Sequence, residues 1–506
     1  MSKVVDVCVI GHGISGGVCA NRLRRAGLSV MAIEKKERVG GACYSARVEI
    51  EGRELVYPAG ATVLGMMQDF VYKETGLANR LQIFAPDCAK IVFLPSFRNP
   101  LLVYDDPTLL AKELARTTGE RGDVEGFRRD SDLVVAFLRE GYRKAEVPTL
   151  ESACERLGPE LTKLWITGSA QDLLDHYFTS DAVKVYMGMT VIESCGTSYH
   201  APFSAFTIPL MDSGSIFDGY WGFVKGGLWK LTETLGDINR EIGVDVVTSA
   251  EVTSVDPKSG YITYRKGHDE ESLVAKHIVF GTDPLTAGRL VGRNYLVRGK
   301  KSQGTSGKLI LAFRSHVQWK HTTYEPEAFR FIFAAETLEE IDRRSQSVTH
   351  GKVDFAPGYI QIYCEGAGQR RLGLRPSFDI LVAYFKNMSG RKSGEEMPEV
   401  REYVKDQVLS QIYNPEALVW DRLLTPHDLE REFGLPGGNI DHLDLCEGQQ
   451  AWQRTLSNDP RKSFYQFGDL ENVFICSAGV YPCGSVSGTG GYMCAQEILR
   501  LMEKKR

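Results

Sequence analysis

The stretch VVDVCVIGHGISGGVCANRLRRAGLSVMAIE, residues 4–34, decides how this chain folds. Its first seven residues, apolar apart from Asp6 and largely β-branched, run up to a glycine, the pattern of a strand buried on both faces. GGVCANRLRRAG then spaces its apolar residues as a helix does and stops at Gly27, and LSVMAIE returns to strand. Gly11, Gly13 and Gly16 fall between the first strand and the helix in the order GxGxxG. Such glycines allow a tight turn, let backbone approach a pyrophosphate and let helix and strand pack closely. Ile14 and Ser15 open the helix, whose unpaired N–H groups and positive dipole end favour phosphate. Glu34 closes the second strand, where a carboxylate can accept from both ribose hydroxyls. A carboxylate there disfavours a 2'-phosphate, which leaves NAD or FAD. His12 fills a variable slot of the motif and is expected to be a tolerated side chain.

The remainder of the chain is organised around this unit. With 506 residues, two or three domains are expected. Composition is that of a globular protein, 43% apolar and 25% charged, with 51 glycines. The 65 acidic and 60 basic residues are interspersed, which argues against a nucleic-acid partner. Eleven cysteines show no metal-ligand spacing, so no metal is expected and the thiols read as reduced core residues. No leader segment or membrane-length apolar run is evident, so a cytoplasmic location is expected, with membrane contact unsupported and the sequon at Asn387 fortuitous.

Residues 100–220 read as helices, whereas KLILAF, YIQIYC and DILVAYF (308–313, 359–364 and 379–385) read as strands of an antiparallel sheet. The α/β pattern returns near 220–290 and at the C-terminus. The expectation is an α/β fold with a Rossmann-type domain assembled discontinuously from residues 1–95, 222–295 and 455–506. An α+β substrate domain, with inserted helices, would take 96–221 and 296–454.

ERVGGACYS (37–45) adds a second close backbone approach at Gly40 and Gly41. Together with Glu34 and Arg38, it resembles the FAD-binding start of the superfamily of flavin amine oxidases, phytoene desaturases and carotenoid isomerases. FVKGGLWKLTETL (223–235), SAEVTSVD (249–256) and IVFGTDP (278–284) are similar to later segments of the same superfamily. NVFICSAGVYPCGSVSGTGGYMCAQEIL (472–499) is similar to its C-terminal FAD motif. Ala42 stands where an arginine is common, and YPAGATVLG (57–65) departs from the usual acidic pattern.

The resemblance implies FAD held by Gly11, Gly13, Ile14, Ser15, Gly16, Glu34, Lys35, Arg38, Gly40, Gly41, Ala42, Gly60, Ala61, Thr62, Val252, Gly479, Gly488, Gly491, Tyr492 and Met493. It also implies Tyr492 as an aromatic group beside the flavin and Lys308 as a proton-handling residue near its N5 atom. Tyr481 and Cys483 are expected to flank the flavin. An aromatic group at Phe217, Tyr220, Trp221 and Phe223 either lines a pocket or belongs to the core.

With a single dinucleotide motif, the flavin is expected to be reduced directly by an apolar or amine-bearing small molecule and reoxidised by oxygen, a quinone or another acceptor. The expected reaction is hydride transfer from a C–N or C–C bond. The alternatives are a polyprenoid or carotenoid desaturase, a redox-neutral isomerase, or an FAD-free prenyl-protein binder of the same fold.

Overall fold

The structure is a computed structural model that describes residues 3–87, 90–193, 195–321, 325–352, 355–386, 388 and 392–504. Asn387 and Ser389 of the sequon lie outside the described residues. Strand β1 (Lys3–Ile10), helix α1 (Ile14–Arg25) and strand β2 (Val30–Ile33) appear as their periodicities predict. Next come β3 (Lys90–Phe93) and β4 (Leu101–Val103), followed by helices that include α2 (Val124–Lys144). The chain continues through α3 (Trp229–Glu241), β5 (Asp245–Val247), β6 (Ala250–Asp256), β7 (Tyr261–Lys266) and β8 (Asp269–Phe280). After these come β9 (Ser306–Phe313), β10 (Phe329–Phe333), β11 (Tyr359–Tyr363), α4 (Glu365–Arg371) and β12 (Asp379–Lys386). The last elements are β13 (Leu418–Leu424), α5 (Pro426–Phe433), β14 (Gln466–Phe467), β15 (Leu470–Ile475) and α6 (Thr489–Lys504).

Eight strands form the first sheet, in the order β6-β7-β8-β1-β2-β5, with β15 paired to β8 and β14 to β15. The pairs β1/β8, β1/β2, β2/β5 and β8/β15 are parallel. Val7, Cys8 and Val9 are buried on both faces, which explains their unbroken apolar run. β8 serves three partners: β1 lies along one edge, while along the other its first half completes an antiparallel meander with β7 and its last three residues pair with β15. That last pairing brings the C-terminal segment beside the first turn of the chain.

The second sheet has seven strands in the order β13-β9-β12-β11-β10-β3-β4. It is antiparallel except where β10 meets β3. β9, β10 and β11 are buried along their whole length, because helices and loops cover both faces. A Rossmann-type sheet built from three separated stretches therefore stands beside a mixed, mainly antiparallel sheet with inserted helices, as expected.

Close backbone approach joins the separated stretches. A Cβ at Gly16 would lie 2.0 Å from the Gly11 carbonyl oxygen, so only glycine lets α1 start this near β1. A Cβ at Gly491 would lie 2.0 Å from the Ser15 carbonyl oxygen, so α6 is seated directly on the first turn of α1. A Gly491→Ala substitution is expected to force these two helices apart at a cost of roughly 1–3 kcal/mol. A lowered midpoint of chemical denaturation checks this, and an unchanged midpoint would contradict it.

Candidate active site

A cavity of about 620 Å³ runs between the two sheets. At one end its wall is formed by Glu34, Lys35, Ala250 and Val252, in its middle by Gly11, Gly13, Ile14 and Ser15, and at the other end by Lys308, Trp221, Tyr363 and Tyr384. Gly40, Gly41, Ala42, Gly60, Ala61 and Thr62 line the side facing α1.

Three features of this cleft suit a nucleotide cofactor. First, Gly13, the N-cap of α1, has no side-chain hydrogen bond capping the helix, and the first turn contains no acidic residue. The positive end of the helix therefore faces the cavity uncompensated, which suits an anion. Second, the glycines of the middle section leave an open trough of backbone; at Gly13 and Gly41 an added Cβ would face the other residue's Cα, at 3.8 and 3.2 Å. Third, Glu34 is buried and accepts hydrogen bonds from the backbone N–H groups of His12 and Lys36, each at 2.9 Å. Burial raises its carboxyl above the ordinary range, against the opposing pull of these bonds. They fix the carboxylate at the strand end, and its remaining lone pairs are available to hydroxyl donors.

His12 itself is buried beneath the turn and takes a hydrogen bond from the Asn239 amide on α3 at 3.0 Å. Desolvation pushes its pKa down to about 4, so it is a neutral packing residue.

Lys308 lies in β9 and is buried. Its ammonium donates to the Pro58 carbonyl at 2.6 Å and also to the Gly60 carbonyl. Desolvation pushes its pKa down to about 7, with the nearby Glu365 carboxylate opposing the shift. Glu365, the first residue of α4, is itself pushed up to about 7 by burial and is held by the Gln369 amide at 2.8 Å. Around Lys308 the cavity wall is aromatic. Tyr363 and Tyr384 stack with ring centroids 6.5 Å apart, and Trp221 meets Tyr363 edge-on at 6.1 Å. Met211 and the buried carboxyl of Glu193 complete this end, and one Glu193 oxygen has no hydrogen-bond partner.

Several residues expected at the cofactor do not line the cavity. Tyr492 does not line the cavity: its ring packs on Phe70 at 4.9 Å and on the Arg22 guanidinium, and its hydroxyl donates to Glu74. It sits on the face of α6 that packs against the outside of α1, so the aromatic side chains near Lys308 are Tyr363, Tyr384 and Trp221 instead. Gly16 and Gly491 support the turn from behind, and Gly488 packs on Val18 and Ile14. Gly479 abuts Pro284, and the Met493 sulfur accepts from Tyr465, 3.5 Å away. Arg38 covers the Tyr44 ring and reaches the Ser45 carbonyl. Lys35 borders the cavity, but its ammonium pairs with Glu251 at 2.8 Å. Tyr481 and Cys483 are core residues, and the following Gly484, Ser485 and Val486 reach the cavity in their place. Of the aromatic group, Trp221 lines the cavity, Phe223 stacks on Phe329, and Tyr220 donates to Asp105 at 2.9 Å.

The sequence reading missed Glu193, Tyr363, Tyr384, Lys36 and the segment 429–435. Tyr363 and Tyr384 carried a usable signal, because both occupy strands read correctly from their apolar runs. The others sit in loops or helix ends without a pattern.

Residues 9–70 match the family described as an NAD(P)-binding Rossmann-like domain. Pyridine nucleotide-disulfide oxidoreductase domain-containing protein 2 of Rattus norvegicus is 22% identical, across 98% of this chain and 93% of its own. The lycopene-forming phytoene desaturase of Pantoea ananas is 23% identical, across 96% of both chains. Among solved structures, cyclohexylamine oxidase of Brevibacterium oxydans superposes with a TM-score of 0.61 at 16% identity, covering 99% of this chain and 100% of its own. Among the described residues, no helix is long and apolar enough to cross a membrane. The fold and the end-to-end kinship together support an oxidoreductase with a flavin or nucleotide cofactor. The chain is thus similar along its length to a phytoene desaturase in sequence and to a cyclohexylamine oxidase in fold, in keeping with the resemblance of its glycine loops to the flavin amine oxidase and carotenoid desaturase superfamily.

Proposed function

We propose that the protein is an FAD-dependent oxidoreductase that takes a hydride from a C–N or C–C bond of a largely apolar small molecule. The observation that carries this reading is the continuity of one cavity, from the glycine trough and Glu34 to a buried lysine among aromatic rings. The chain divides its labour accordingly, with residues 1–95, 222–295 and 455–506 as the cofactor domain, apart from Lys90–Phe93, which pair into the second sheet, and the intervening stretches as the substrate domain. FAD, when bound, supplies the two-electron acceptor.

The protein's own groups bind, orient and move protons. Backbone N–H groups at the start of α1 would hold the pyrophosphate, Glu34 the ribose hydroxyls, and Val252 the adenine face. Tyr363, Tyr384 and Trp221 give the substrate an apolar, water-poor wall, which strengthens every charge interaction within it. Lys308 handles the proton that must leave when the substrate gives up a hydride and becomes unsaturated. With a pKa near 7, its amine is neutral in a substantial fraction at neutral pH and can accept that proton. The carbonyls of Pro58 and Gly60 hold the resulting ammonium in place. Oxygen or a quinone would serve as the final acceptor.

The direct test is anaerobic mixing of the flavin-loaded protein with a panel of apolar amines and polyenes. Loss of the oxidised flavin absorbance with a member of the panel is expected, whereas bleaching by NAD(P)H alone would contradict the reading. For a productive substrate, the rate of flavin reduction should rise with pH through an inflection near 7, because the neutral amine is the acceptor. Lys308→Met should remove that inflection and lower the rate by about 10²-fold or more; an unchanged profile would exclude Lys308 from proton transfer.

A further inference from the structure

The adenosine end of the cavity is closed by an element of the second sheet. α5 follows β13 directly, and the segment from Leu429 to Leu435 forms the cavity wall opposite Glu34 and Val252. On its own side, α5 is firmly held. Thr425 caps it in reciprocal hydrogen bonds with Asp428, Asp428 also accepts from the Gly394 N–H at 2.7 Å, and Arg422 of β13 pairs with Glu432. Directly after α5, Gly434, Gly437 and Gly438 take left-handed φ values of +68°, +58° and +70°, turning the chain away at once.

Across the cleft, Lys36 makes the principal tie. It follows the strand that ends in Glu34, and its ammonium donates to the Glu432 carbonyl at 2.5 Å. The same ammonium lies 4.7 Å from the centre of the Phe433 ring and 4.9 Å from that of Tyr44. Tyr44 and Phe433 meet edge-on at 6.5 Å, and Arg38 covers Tyr44 at 4.2 Å. One half-buried cation thus joins two aromatic rings, one from each side of the cleft, and this bond is strongest where water is excluded.

We infer that α5 and Lys36 form a clasp over the adenosine half of the bound dinucleotide, so that the cofactor leaves only when Lys36 releases Phe433 and Glu432. This rests on the proposed occupancy of the cleft by FAD. It adds a retention device supplied by the substrate side of the molecule, and it assigns a role to Lys36, whose neighbour Lys35 is engaged elsewhere.

The test is the dissociation rate of FAD from the loaded protein, followed by the recovery of free-flavin fluorescence after dilution. Phe433→Ala and Lys36→Met should each release FAD about tenfold faster than the unaltered protein. The double variant should release FAD more slowly than the product of the two single effects, because both substitutions break the shared Lys36–Phe433 contact. Amide hydrogen exchange of the flavin-stripped proteins provides a reading that needs no cofactor. Residues 426–435 should exchange faster in both variants, while β9 and β1 stay protected. Unchanged dissociation rates, or rates that multiply in the double variant, would overturn the clasp. An unaltered protein that takes up no FAD would instead overturn the cofactor reading on which the clasp depends.

Discussion

Backbone packed against backbone, where no Cβ intervenes, is the constraint on which this structure depends. Gly16 lies over the Gly11 carbonyl, Gly281 over the same carbonyl from β8, and Gly491 over the carbonyl of Ser15. Three stretches separated by hundreds of residues thereby meet at the first turn of α1. Each contact is too short for any side chain, so the chain has little freedom in how these parts assemble. The result is a helix N-terminus with free N–H groups at the floor of a cleft, into which strand ends from both sheets also project.

Charge is placed along that cleft in a consistent order. The positive end of α1 lies at its centre, and Glu34 marks one end with a carboxylate steadied by two N–H donors. At the other end, Lys308 is held by two carbonyls, and its removal from water pushes its pKa down to about 7. A cofactor with phosphates at its middle, ribose at one end and a redox ring at the other would meet these groups in that order. The aromatic rings around Lys308 exclude water from the end where chemistry would occur.

What could be read from the amino acids follows from locality. β1, α1 and β2 contain their own periodicity, stop signals and glycines within 34 residues, so the fold class and the glycine turn that lines the cavity were both legible. The antiparallel sheet was legible from its apolar strands, although not the parallel junction of β10 with β3, because pairing across more than 200 residues leaves no local mark. Gly488, Gly491 and Tyr492 illustrate the limit. Their glycine-rich setting correctly marked close approach, but the approach is to α1, and Tyr492 faces outward onto Arg22, Glu74 and Phe70. Lys36 and Phe433 were illegible for the opposite reason, since each gains its significance only when α5 crosses to the other side of the cleft.

The central claim is that one extended dinucleotide fills one continuous cleft. Native mass spectrometry of the purified protein, with denaturing release and identification of whatever it retains, tests that claim most directly. One FAD per chain is the predicted result. A chain carrying NAD(P) alone, or none taking up FAD when supplied in excess, would contradict the account.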